Sequence, residues 1–175
     1  MSNTNSSLIA ALDSTTGLNQ FVAPRETGGR VRVASGNVNV VGTDFDANDD
    51  TIVLCRLPGN AQILSLQIGA SDMDGGTDSS VNVGVYPAGV TAAASAVDED
   101  CYVTASTDFR TITPVTEYRF ETLLPVTITN RLWEDAGVAS DPGPIQYDIV
   151  MTQVAASVSS PTTADVSFII QYVID

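Results

Sequence analysis

The side chains that could do chemistry in this chain are almost all carboxylates. Of 175 residues 21 are Asp or Glu, none is His or Lys, and all seven basic residues are Arg. Without His there is no Ser-His-Asp or Cys-His nucleophile and no His-ligated metal. Without Lys there is no P-loop lysine and no Schiff base. What remains is carboxylate chemistry of the glycosidase kind, for which Glu117, Glu121, Glu134 and Asp135 are available. Nothing in their spacing singles out a pair, and a single tryptophan, Trp133, is meagre for a sugar cleft. The chain therefore reads as a non-enzyme.

Two aspartate-rich stretches invite a calcium reading, because hard cations take oxygen ligands. Asp44, Asp46, Asn48 and Asp50 alternate in the first, and Asp72, Asp74 and Asp78 cluster in the second, DMDGGTD. The first departs from an EF-hand loop, with Asp49 at the sharp-turn glycine position and Cys55 at the bidentate glutamate position. The second offers too few carboxylates. Asp, Asn and Gly are also the residues that make turns, through local side-chain to backbone bonds, and that is the reading adopted here. No metal or other cofactor is expected.

The net charge of −14 sets the partners. Such a surface repels nucleic acid and anionic membranes, so neither is expected as a partner. The group Arg25, Arg30 and Arg32 is the exception, and suits an acidic protein surface. No apolar run approaches the length of a membrane span, and the N-terminal stretch lacks the basic and apolar regions of a signal peptide, which points to a protein made in a cytoplasm. Cys55 and Cys101 are then expected as two buried thiols rather than a disulfide.

The elements that must carry these groups are strands. Residues 1–29 are rich in Ser, Thr, Asn and Gly with short apolar patches, and read as an extended N-terminal arm anchored on a partner by Phe21, Val22 and Arg25. Residues 30–175 read as one domain. Alternation marks strands over residues 31–40, 62–70 and 81–86, and in a final pair around 147–152 and 165–172, the last two expected as a long-looped hairpin. The unbroken apolar run Ile52 to Cys55 suggests a central strand, followed by a type II turn at Pro58-Gly59. Together Thr51 to Tyr86 reads as a β-meander. Ser95 to Asp98 resembles a capping box opening a helical turn to about Thr104. Residues 117–124 and 126–129 look extended. Asn130 is placed to cap a short helix to Ala136, with Trp133 plugging the sheet and Gly137 ending it. The expected fold is all-β: an antiparallel β-sandwich, jelly-roll-like, with one or two short helices.

In this order the pieces LPGNAQILSLQIGASDMDGG, SSVNVGVY, LWEDAG, DPGPIQYDIVMT and ADVSFIIQYVID resemble small virion proteins of tailed bacteriophages, the capsid decoration or cement proteins. The resemblance covers about residues 50–175. It implies a sandwich on the outer surface of an icosahedral head, assembled in the host cytoplasm as a trimer or other symmetric homo-oligomer. Its partner would be the major capsid protein, whose lattice it stabilises. Arg25, Arg30 and Arg32 then suit docking onto capsid subunits. A neck, tail or head-fibre component is the alternative within virions, and a carbohydrate- or calcium-binding host-recognition module is the alternative outside that class.

Overall fold

The computed structural model describes residues 30–41, 45–74, 78–90, 96–156 and 163–174. The strands are β1 (Arg32–Val41), β2 (Thr51–Pro58), β3 (Ala61–Ala70), β4 (Ser80–Pro87), β5 (Asp98–Ser106), β6 (Thr113–Glu117), β7 (Gln146–Ala155) and β8 (Thr163–Ile174). A single helical turn, α1 (Leu132–Asp135), and two 3-10 turns, Asp108–Arg110 and Pro125–Thr129, lie between β5 and β7.

The strands form two four-stranded antiparallel sheets, ordered β1-β8-β3-β6 and β2-β7-β4-β5. This is the strand order of a jelly roll, the double-sheet solution to burying one face of each strand. The core lies between the sheets, where Ile63, Leu66, Ile68, Val166 and Ile170 are fully buried in one cluster with Leu57, Val83, Val85, Ile149 and Met151. The all-β sandwich expected from alternation is therefore present.

Pairing differs from the local expectation. Residues 51–86 are not a meander, because β2 and β4 belong to one sheet and β3 to the other. Nor do β7 and β8 form a hairpin: β7 pairs with β2 and β4, and β8 with β1 and β3. Strand β2 is an edge strand with Val53 exposed, whereas the truly central β7 is buried from Tyr147 to Gln153. In β3 a register shift between Ile63 and Ser65 brings Ile63 into the core in place of Leu64. The connection after β2 turns at Gly59 and Asn60, and Gly59 does not adopt the positive φ that a type II turn requires.

The helical turn expected from Ser95 is strand β5 instead. Its acidic start, Asp98-Glu99-Asp100, imitates a helix N-terminus, but Tyr102 and Val103 are fully buried in the sandwich. Likewise the strand expected over 117–124 stops at Glu117, and residues 125–129 form a 3-10 turn. The short Trp helix is present. Arg131 rather than Asn130 is its N-cap, the Glu134 carboxylate accepting a 2.7 Å bond from the Arg131 N–H. Gly137, at φ 71°, ends it by donating to Glu134 O while Val138 N–H donates to Trp133 O, both at 3.0 Å.

Candidate interaction surface

The flank beside β3 is built around a buried charge. Strand β6 covers only the Gln67 to Ala70 half of β3, and the chain then leaves the ladder at Tyr118, whose N–H still donates to Leu66 O at 2.7 Å. Arg119 takes over along the rest of that edge. Its side chain is fully buried, Nε donating to Ile63 O at 3.1 Å and Nη2 to Thr127 O at 3.2 Å. Nη2 also lies 2.8 Å from Asp135 Oδ2, and the guanidinium carbon sits over the rings of Tyr102 and Phe120 at 5.4 and 5.2 Å. Tyr102 Oη donates to the same carboxylate at 3.1 Å.

Burial pushes the Asp135 carboxyl up to about 6, against the opposing pull of Arg119 and the Tyr102 hydroxyl. Desolvation thus exceeds the attraction for this pair. The network ties α1 and the 3-10 turn to β3, and the segments it holds carry exposed apolar side chains: Leu124 and Val126 are 67% and 78% exposed, with Val115 and Ile128 nearby in the chain.

The outer face of the β1-β8-β3-β6 sheet is different in kind. Ser35 and Asn37 of β1 stand opposite Ile169 and Ser167 of β8. Asn37 Nδ2 donates to Ser167 Oγ at 3.1 Å, and Asn39 Nδ2 to Asp165 Oδ1 at 3.0 Å. This face is exposed and mixed: the hydroxyl, amide and carboxylate groups of Ser35, Asn37, Asn39, Asp165 and Ser167 stand among the exposed apolar side chains of Val33, Val41 and Ile169. On the other sheet, buried Asp148 accepts from Arg56 Nε at 2.6 Å, Arg56 Nη2 at 2.9 Å and Gly89 N–H at 2.8 Å. These bonds, led by those from Arg56, hold its carboxyl below the ordinary carboxylate range.

Of the expected docking residues, Arg30 and Arg32 are exposed at the start of β1, with Arg32 opposite Tyr172. Phe21, Val22 and Arg25 lie outside the described residues, as does the arm. The aspartates of the second loop do local work: Asp72 Oδ1 accepts from Asp74 N–H, and buried Asp74 Oδ2 from Ser79 N–H, both at 3.0 Å. Asp78 is exposed, and among the described residues no three carboxylate or thiol groups gather as a metal site. In the first loop Asp50 Oδ2 accepts the N–H groups of Asp46 and Ala47.

The four carboxylates available for catalysis do not pair. Glu117 accepts from Ser65 Oγ and from the N–H groups of Leu66 and Arg119, Glu134 caps α1, and Asp135 holds Arg119. Glu121 is exposed, its carboxyl raised by partial burial and by neighbouring Asp108. Sequence reasoning missed Arg119, the most deeply buried charged residue among the described residues. Its one local signal is the flanking pair Tyr118 and Phe120, an aromatic setting unusual for a surface arginine.

Cys55 and Cys101 are both unpaired thiols; Cys101 is buried as expected, whereas Cys55, on edge strand β2, is only half-buried. They lie on the two outer strands of the β2-β7-β4-β5 sheet, three strand spacings or roughly 14 Å apart, too far to bridge. Among the described residues no helix is long and apolar enough to cross a membrane.

Fold and surface together define an antiparallel jelly roll with a mixed polar and apolar outer sheet face and exposed apolar residues on the flank. No protein-family model matches the sequence, and no curated protein does. Solved structures do. The chain is similar to a protein of the cyanophage Pam1 capsid asymmetric unit at 20% identity and TM-score 0.51, over 85% of this chain and 87% of that one. It is similar to a chain of the Ralstonia phage GP4 capsid at 16% identity and TM-score 0.55, over 82% and 85% respectively. At these identities the likeness is one of fold.

Proposed function

We propose that this chain is a structural protein of a bacteriophage virion, one that binds the outer surface of the head and stabilises its lattice. The observation that carries the reading is the extended jelly-roll likeness to chains of two phage capsids, over more than four-fifths of each partner. The net charge of −14 supports the exterior over a DNA-lined interior, and the exposed apolar flank at Leu124 and Val126 supports a protein partner.

The mechanism is thermodynamic and uses neither catalysis nor a cofactor. A protein that binds the assembled lattice and not its free subunits stabilises that lattice by mass action. A symmetric homo-oligomer contacting several major capsid protein subunits adds avidity to individually weak contacts. Phe21, Val22, Arg25, Arg30 and Arg32 are assigned to the capsid contact.

Imaging capsids mixed with the purified protein tests this directly. The expected result is density repeated over the outer surface with the symmetry of the lattice. Density confined to one vertex would reassign the protein to a neck, tail or fibre, and no density on either capsids or whole virions would overturn the reading.

A further inference from the structure

The four edge strands of the sandwich are not alike. Strand β2 is interrupted by a register shift between Val53 and Cys55 and ends in Pro58. Strand β5 pairs irregularly with β4 and opens with three acidic residues, and β6 is five residues long with Pro114 inside it. These are the devices by which sheets blunt their edges. Strand β1 has none of them. Its ten residues pair with β8 in one unbroken register, from Arg32 opposite Tyr172 to Val41 opposite Thr163, and it contains no proline and no acidic residue. Among the described residues, no backbone hydrogen bond outside the ladder involves residues 31–40.

We propose that β1 is a docking edge for a second copy of this chain, the two β1 strands pairing antiparallel about a two-fold axis at Asn37 so that two four-stranded sheets become one of eight. The charge order along the strand selects this occupant. Arg30 and Arg32 lie at its start, residues 33–41 are uncharged, and the described loop that follows carries Asp46, Asp49 and Asp50. An antiparallel copy carries the basic start of each strand towards the acidic loop of the other, whereas a parallel one sets arginine on arginine. About Asn37 the outer face pairs Val33 with Val41 and Ser35 with Asn39, and the inner face pairs Ala34 with Val40, so no like charges oppose. The N–H and C=O groups of residues 33–40 that point away from β8 supply the remaining contacts. This inference stands independently of the virion reading.

The test is the solution mass of the full chain by sedimentation equilibrium, with the Asn37→Lys and Asn37→Asp variants. Asn37 is exposed, so both variants keep the fold, checked by circular dichroism. The wild type is expected at twice the 18.3 kDa monomer mass. Each variant places like charges face to face and weakens the dimer by up to about fivefold, and an equimolar mixture of the two restores it. A wild-type monomer or trimer, an unweakened variant, or a mixture that fails to recover overturns the proposal. So does a monomer in which the β1 amides that point away from β8 resist hydrogen exchange, since another part of the chain then covers the edge.

Discussion

Replacing Arg119 by Met is the sharpest test of how the flank is held. The substitution keeps the aliphatic stem but leaves the buried Asp135 carboxylate without its guanidinium, and leaves the Ile63 and Thr127 carbonyls without a donor. Removing one partner of a buried ion pair costs about 3–5 kcal/mol. In a domain of this size each kcal/mol moves Tm by about 2–4 °C, so calorimetry at about pH 7 should show a fall of roughly 6–20 °C. The pH dependence carries the sign. The folded Asp135 carboxyl lies at about 6, above its ordinary 3.8, so the stability linked to it is complete below 3.8 and is lost as pH rises through 6. In Arg119→Met the opposing pull is gone, the folded value climbs further, and the loss extends to higher pH. The gap between wild type and variant is therefore widest near neutrality and narrows on acidification towards about pH 4. The double variant Arg119→Met with Asp135→Leu leaves neither charge of the pair and should recover part of the loss. A single-variant penalty that is under about 1 kcal/mol, is flat with pH, or is not relieved by the double variant refutes this account.

Gly84→Ala should be poorly tolerated, because a Cβ there lies 2.2 Å from Asp98 O and 2.3 Å from the Glu99 carbonyl carbon, where the start of β5 presses on β4. The obstruction is backbone, so the cost is at least about 1–3 kcal/mol, read as a lower urea midpoint; an unchanged midpoint refutes the close approach. Arg56→Ala removes the main cause of the depressed Asp148 carboxyl. Stability linked to Asp148 is present above its ordinary value and is lost as pH falls through the lower folded one, so the variant should unfold at a higher pH on acid titration, and an identical acid midpoint contradicts this. Burial pushes the Cys55 thiol up to about 12 and that of Cys101 well above its ordinary value. Neither should react with an alkylating reagent at about pH 8 until the chain is unfolded, and rapid labelling of native protein counts against the packing described.

Alternation made β1, β3, β4, β7 and β8 legible, since period two follows directly from a strand with one face on the core. Glycine after LWEDA marked the end of α1 for an equally local reason, the left-handed conformation of Gly137. What local pattern cannot supply is pairing. The jelly-roll order sends successive strands β2, β3 and β4 to alternate sheets, so sequence neighbours that suggested a meander are partners across the core. Strand β5 was hidden by its acidic start and β6 by its proline and short length. The buried charge at Arg119 was invisible because its justification lies elsewhere, in Asp135, Tyr102 and two carbonyls. The aspartate loops were legible as turn chemistry, with Asp50, Asp72 and Asp74 each accepting a nearby backbone N–H.

Strand β8 has a consequence in time as well as in space. It is the last of the eight strands to be synthesised, yet it lies between β1 and β3 and supplies the ladder to both. The bond from Asn37 to Ser167 spans 130 residues of sequence. Until residues 163–174 leave the ribosome, two ten-residue strands of the same sheet wait without the neighbour they share, while β4 and β5 can pair with each other early. Such distant closure is slow, and it prolongs exposure of pairing edges to other chains. For this protein the hazardous interval of folding ends with one strand, and a nearby copy that donates its own β8 first could complete the sheet in place of the chain's own.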